Sequence, residues 1–157
     1  MERNDGTFVT TRIFDAPRSR VFEAWTRAEH LGNWFAPQGF AITDCESDAR
    51  PGGVFRMRWR APWGGTFAVR GEYREVVPPV RLVIACTLQD EQRDSRLDEI
   101  INVDFESSGS RTRLILNSTA RGSGANAAGM LAGLQKGWTQ TVDRLGVLLE
   151  PRDQKEM

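Results

Sequence analysis

The chain of 157 residues has little of what metal and nucleophile chemistry requires. It holds one histidine, His30, and two cysteines, Cys45 and Cys86, each inside a β-patterned stretch. A Ser-His-Asp or Cys-His arrangement would have to use His30, which stands beside Glu29 in a short helical segment and reads as a solvated surface residue. Zinc and iron sites draw on clusters of His, Cys or carboxylate ligands. One His and two scattered Cys do not form such a cluster, so no metal or other cofactor is expected. The two thiols read as small buried hydrophobes rather than as a disulfide or a redox pair, which suits a reducing cytoplasm.

An excess of either charge is missing as well. There are 21 basic and 21 acidic residues, which removes the electrostatic footprint of a nucleic-acid binder. No polybasic run is present to hold an anionic membrane surface. No apolar stretch approaches the roughly 20 residues of a membrane-spanning helix, so no membrane insertion is expected. The polar start, Met1 to Gly6, lacks the apolar segment of a signal peptide. A cytoplasmic protein is expected. No internal repeat, low-complexity segment or linker divides the chain, and we expect one domain over 1–157 with its core at about 7–150. At this size a domain buries roughly 70% of the surface its unfolded chain exposes.

Aromatic residues, by contrast, are plentiful: five tryptophans and eight phenylalanines. Rings of that size need a large interior or a large ligand. Residues Thr7 to Phe14 read as a first strand. Pro17 suits the start of a helix, and Val21, Phe22, Trp25 and Ala28 recur at helical spacing. A break at Thr26 to Ala28 gives two short helices, the second ending near Trp34-Phe35. Strands follow at Phe40 to Ser47 and Val54 to Arg60. In the latter, Phe55, Met57 and Trp59 point one way and Arg56, Arg58 and Arg60 the other. After a hairpin tip at Ala61 to Gly65, Phe67, Val69, Gly71 and Tyr73 continue the apolar face. Pro78-Pro79 turns the chain into Arg81 to Leu88. Asp90 to Asp98 reads as a charged loop. Glu99 to Glu106 and Arg111 to Ala120 form a last hairpin. A helix from about Asn126 to Glu150 then carries Met130, Leu134, Trp138, Val142, Leu145 and Leu149 on one face, and Pro151 closes it.

This order predicts an α+β fold: an antiparallel sheet of about seven strands covered by one long C-terminal helix, with two short helices after the first strand. A strongly twisted sheet is not covered flush by one straight helix. The space between is filled by aromatic side chains or by a ligand. The expected ligand-binding set is Trp34, Phe35, Phe55, Met57, Trp59, Trp63, Phe67, Tyr73, Met130, Leu134 and Trp138, with simple core packing as the alternative for each. Tyr73 shares the parity of Phe67 and Val69, so its hydroxyl can meet a ligand or bond a core carbonyl; Asn117 and Ser118 are further polar candidates. Trp63 at the hairpin tip either folds over the mouth of the cavity or lies at the surface or at a homodimer contact. Gly129, Gly133 and Gly137 form a stripe on the last helix that costs about 3 kcal/mol against alanine. Close approach to a neighbouring backbone is the ordinary explanation, and a helix loosened to admit ligand is the functional one. Asp44, Glu46, Asp48, Asp104 and Glu106 read as the wet face of the sheet.

Several segments resemble one family. Arg12-Ile13-Phe14-Asp15-Ala16-Pro17 with Val21-Phe22-Glu23-Ala24-Trp25 is similar to the opening of the SRPBCC, or START-like, superfamily, and within it to the activators of heat-shock-protein ATPase. Glu29-His30-Leu31, Trp34-Phe35, Arg50 to Arg56, Gly71 to Pro79, Arg81-Leu82-Val83 and Gly137-Trp138 with Leu145 follow in the same order. The resemblance covers nearly the whole chain and implies the helix-grip fold, also called START-like or birch-pollen-allergen-like. Relatives are implied to include ligand carriers, polyketide cyclases, self-sacrifice resistance proteins and co-chaperone domains.

Three functions follow as expectations. The first is a small-molecule-binding protein that holds an apolar or aromatic, lipid- or polyketide-like ligand between sheet and helix. The second is a cyclase, aromatase or hydrolase using the same cavity, which needs a titratable group inside it. Tyr73 is the internal candidate, so the residues leave catalysis open and lean against it, and no catalytic residue is assigned. The third is a chaperone-interacting module. Chaperone activators are implied to carry a separate N-terminal domain that this chain lacks, so a chaperone partner is not expected.

Overall fold

Alternation of apolar and polar residues dictates hairpins from Ala41 onward, and the computed structural model, which describes residues 5–150, builds them in that succession. The elements are β1 (Asp5–Phe14), α1 (Arg18–Thr26), α2 (Ala28–Trp34), β2 (Ala41–Ser47), β3 (Val54–Arg60), β4 (Thr66–Val77), β5 (Arg81–Asp90), β6 (Ser95–Ser108), β7 (Arg111–Ser123), α3 (Ala127–Ala132) and α4 (Leu134–Leu149). The seven strands form one sheet in the order β1-β7-β6-β5-β4-β3-β2, with every pair antiparallel. The helices cover its apolar face, which is the helix-grip arrangement. Pro151 and the tail from Arg152 to Met157 lie outside the described residues.

The two short helices fill one end of the inner face. Arg27, in an extended conformation, separates α1 from α2. Trp25 on α1 meets Trp34, Phe35, Phe105 and Trp138 with ring centroids 4.8, 6.0, 6.4 and 6.4 Å away. Phe55 on β3 lies over Gly71, its partner on β4. A Cβ added at Gly71 would stand 2.1 Å from the Phe55 ring, so only glycine admits this packing.

Two expectations are corrected. The charged stretch Asp90 to Asp98 is not an extended loop, because β5 runs to Asp90 and β6 begins at Ser95. The buried Asp90 carboxylate closes the turn by accepting the backbone N–H groups of Gln92 and Arg93 at 3.2 and 3.3 Å. Arg96 and Asp98 are the outward members of β6, paired to each other at 3.0 Å, while Leu97 and Glu99 point inward. The last helix is also not continuous. Gly133, whose N–H is shared between the carbonyls of Gly129 and Met130 at 3.2 Å each, divides it into α3 and α4.

Candidate functional site

The aromatic core does not fill the whole space under the helices. At the end of the sheet nearest the β3–β4 and β5–β6 turns, a cavity of about 290 Å³ remains between the strands and α3–α4. A water occupies about 30 Å³ in the liquid, so this volume exceeds a water or two and is near the lower end of ligand pockets. The β3–β4 side supplies Trp59, Trp63, Phe67 and Val69; β5 and β6 supply Cys86, Leu88, Leu97 and Glu99; and the helices supply Met130, Leu134 and Trp138.

Of the eleven residues expected to bind ligand, seven line this cavity: Phe35, Trp59, Trp63, Phe67, Met130, Leu134 and Trp138. Trp34, Phe55, Met57 and Tyr73 do not line it and are buried in the hydrophobic core. Trp34 donates its indole N–H to the carbonyl of Ala24 at 2.8 Å. Tyr73 is fully buried, shares a hydrogen bond of 2.8 Å with the Ser47 hydroxyl, and donates to the carbonyl of Trp25 at 3.4 Å. Burial pushes its pKa up to about 12, against the opposing pull of the Ser47 hydrogen bond. Tyr73 is therefore a core tyrosine, and its hydroxyl does not present itself to the cavity. Asn117 is on the exposed face of β7 and is also excluded, whereas Ser118 is buried.

Close approach to a neighbouring backbone does not explain the glycine stripe; a Cβ on Gly129 would meet the Asn126 side chain at 2.5 Å. A Cβ on Gly133 would meet nothing nearer than the Met130 carbonyl of its own helix at 3.7 Å, and one on Gly137 nothing nearer than Pro37 at 3.8 Å. No neighbouring backbone crowds them. All three glycines line the cavity, Gly129 and Gly133 on its exposed side.

The residue that sequence reasoning passed over is Glu99. It lies on the inner face of β6 in parity with Leu97, Ile101 and Val103, so the alternation that defined the apolar face also pointed this carboxyl inward. Its Oε1 accepts the Ser118 hydroxyl at 2.8 Å and the Trp138 indole N–H at 2.9 Å. Burial raises the Glu99 pKa above the ordinary glutamate range, opposed by the two donors from Trp138 and Ser118. Cys86, opposite Glu99 in the β5–β6 register, has its thiol pushed well up by burial and then by the neighbouring Glu99 and Asp98 charges. A thiol so placed stays protonated and unreactive. Among the described residues no group of three or more His, Cys, Asp or Glu side chains is arranged to hold a metal.

The rim is held by Arg144 on α4. Its guanidinium donates to the carbonyls of Ala36, Pro37 and Phe40 at 3.2, 2.9 and 3.1 Å and to Asn33 at 3.3 Å. This fixes the segment after α2 that supplies Phe35, Pro37 and Phe40 to the wall. Trp63 stands at the mouth, 68% exposed, with its ring edge-on to Phe40 at 5.6 Å.

A seven-stranded antiparallel sheet gripping a C-terminal helix over an apolar cavity defines a START-like, helix-grip protein. The chain belongs to the family of Activator of Hsp90 ATPase homolog 1-like proteins, whose model matches residues 15–150. Among solved structures it is similar to protein CV1439 from Chromobacterium violaceum, with 27% identity over 94% of this chain and 99% of that one and a TM-score of 0.76. An uncharacterized protein from Rhizobium leguminosarum is 29% identical over 92% of this chain and 94% of that one, with a TM-score of 0.72. Ms6760 from Mycobacterium smegmatis, 21% identical over 94% and 92% with a TM-score of 0.73, shares the fold. No curated protein matches the chain. No helix among the described residues is long and apolar enough to cross a membrane.

Proposed function

We propose that this protein holds a small apolar or aromatic, lipid- or polyketide-like molecule in the cavity between the sheet and α3–α4. The observation that carries the reading is the open volume of about 290 Å³, walled by Phe35, Trp59, Phe67, Leu134 and Trp138. Burial of ligand surface at roughly 25 cal/mol per Å² supplies most of the affinity. Trp63 acts as a gate, since its position at the mouth leaves it little core to enter. Native mass spectrometry of protein purified from cells tests the reading. A retained organic molecule is expected on the wild type and not on Leu88→Trp, which enlarges a wall side chain on the inner face of β5. A wild type that carries nothing and fails to bind 2-methylnaphthalene would overturn it.

A second reading, an enzyme of cyclase, aromatase or hydrolase type, gains support from Glu99. Such an enzyme orients a reactive chain, excludes water and needs a titratable group inside the cavity. Glu99 is that group where Tyr73 is not. Turnover of a bound polyketide-like chain that disappears in Glu99→Gln would favour it. A chaperone-interacting role, which the family's description suggests, comes third. It is tested by a pull-down that returns a chaperone and loses it when the exposed Arg56 is replaced by glutamate.

A further inference from the structure

The cavity lining contains two carboxyls with lopsided hydrogen bonding: Asp90 at the end of β5, which takes both backbone donors on Oδ1, and Glu99, which stands on the inner face of β6 among apolar side chains. Glu99 is 8% exposed, and both of its protein donors, Ser118 Oγ and Trp138 Nε1, converge on Oε1. Oε2 has no hydrogen-bond partner among the described residues. The fully buried side-chain atoms that lack a partner among the described residues are Trp25 Nε1 and Trp59 Nε1, and Oε2 is not one of them, so it stays open to the polar group of a ligand in the cavity. The other charged residues of the cavity, Asp90 and Arg93, belong to the β5–β6 turn, where Asp90 is engaged with backbone N–H groups. The thiol of Cys86, facing Glu99 across the strand pair, is protonated and neutral. No cation is paired with Glu99.

Burial among apolar side chains favours the protonated form of Glu99, opposed by the two donors on Oε1. With two donors already directed at Oε1, the proton resides on Oε2, which becomes an O–H donor. Resting on the cavity as a ligand site, we infer that Glu99 is its polar anchor and that Oε2–H donates to the carbonyl oxygen of a neutral, largely aromatic ligand. A hydrocarbon of the same shape leaves Oε2 without a partner. A carboxylate ligand must give up its hydration in a largely apolar cavity, where Arg93 in the β5–β6 turn stands on the lining as a cation.

Calorimetric titration at pH 7 with four naphthalene probes tests this: 2-acetylnaphthalene, 2-methylnaphthalene, 2-naphthoate and 2-naphthylmethylamine. The wild type should bind the ketone about tenfold more tightly than the hydrocarbon, the gain expected of one well-made hydrogen bond, and the anion most weakly. Glu99→Gln should keep the ketone preference to within about threefold. Its amide oxygen still accepts from Ser118 and Trp138, and its N–H₂ replaces the O–H donor. Glu99→Met should bind ketone and hydrocarbon alike. Should that variant fail to fold, the wild-type ranking together with Glu99→Gln decides the matter. Tightest binding of the amine, lost in Glu99→Gln, would overturn the inference in favour of an ionised anchor. Equal binding of ketone and hydrocarbon to the wild type would overturn the anchor and leave the cavity reading standing. Failure of all four probes would remove both.

Discussion

Trp138 on α4 donates its indole N–H to Glu99 on β6 at 2.9 Å, so the covering helix is joined to the sheet through a carboxyl oxygen on the cavity wall. The bond makes Glu99 part of the stability of the fold as well as of the site. It also makes that stability depend on pH in a direction that can be worked out.

Burial raises the folded-state pKa of Glu99 above the unfolded value of about 4.3. Between these two values the folded protein keeps a proton that the unfolded chain has released. Stability therefore falls as pH rises through that window; the contribution is fully present below about pH 4.3 and lost above the folded value. Each pH unit within the window amounts to about 1.4 kcal/mol. Glu99→Gln has no such proton to lose. Urea denaturation at pH 4, 6 and 8 should show the variant gaining on the wild type as pH rises, then levelling off. A difference that stays constant across the three would contradict the burial of this carboxyl.

Two glycines should respond to alanine in opposite ways. At Gly71 the new methyl would be 2.1 Å from the Phe55 ring, which is boxed in by Phe35 and Tyr73 at 5.4 and 5.6 Å. Overpacking of this kind costs typically 1–3 kcal/mol or more, and we expect Gly71→Ala to lose about 3 kcal/mol. At Gly133 the φ of −88° and ψ of −1° suit alanine, and the nearest atom to the new Cβ is 3.7 Å away. Gly133→Ala should stabilise by up to about 1 kcal/mol. Gly133 is exposed at the edge of the cavity, so affinity for 2-methylnaphthalene should change little. Thermal denaturation and titration of both variants check the pair.

Tyr73→Phe separates the site expected from sequence from the cavity in the structure. Losing the hydroxyl removes its bonds to Ser47 and to the Trp25 carbonyl, at a cost of about 1–2 kcal/mol. Ligand affinity should be unchanged, because Tyr73 does not line the cavity. A denaturation curve shifted to lower urea with an unaltered binding isotherm is the expected outcome.

That mismatch shows what strand alternation encodes. A period of two assigns each side chain to a face, and on that basis the inner face of β3 and β4 was legible from Phe55 to Tyr73. It does not say how far along the strand a residue sits from the helices above. Phe55 and Tyr73 lie at the end packed beneath α1 and α2, while Trp59 and Phe67, paired in register at the other end, border the cavity. Glu99 obeyed the same alternation, but a charged residue next to a charged stretch reads outward by default. The break at Gly133 was hidden for a related reason: Met130, Leu134 and Trp138 keep helical spacing across it, and periodicity does not register a single shared hydrogen bond.

Arg144 offers the sharpest test of how the rim is held. Its guanidinium is half-buried, and burial lowers its pKa from the ordinary arginine value, a cost offset by four carbonyl contacts at Asn33, Ala36, Pro37 and Phe40. Three of those carbonyls, at Ala36, Pro37 and Phe40, belong to a segment with little regular structure to hold it. Arg144→Ala leaves them without this donor, and hydrogen bonds to a charged group are worth about 1.5–3 kcal/mol before non-additivity is considered. A loss of about 2–4 kcal/mol is expected. Arg144→Lys should recover only part of it, because one ammonium does not reproduce the planar fork that spans all four oxygens. Amide hydrogen exchange should quicken at residues 35–40 more than in β5 to β7, and affinity for 2-methylnaphthalene should fall as Phe35 and Phe40 lose their fixed place in the wall. Uniform quickening across the sheet, with the rim no faster than the core, would assign Arg144 to global stability alone.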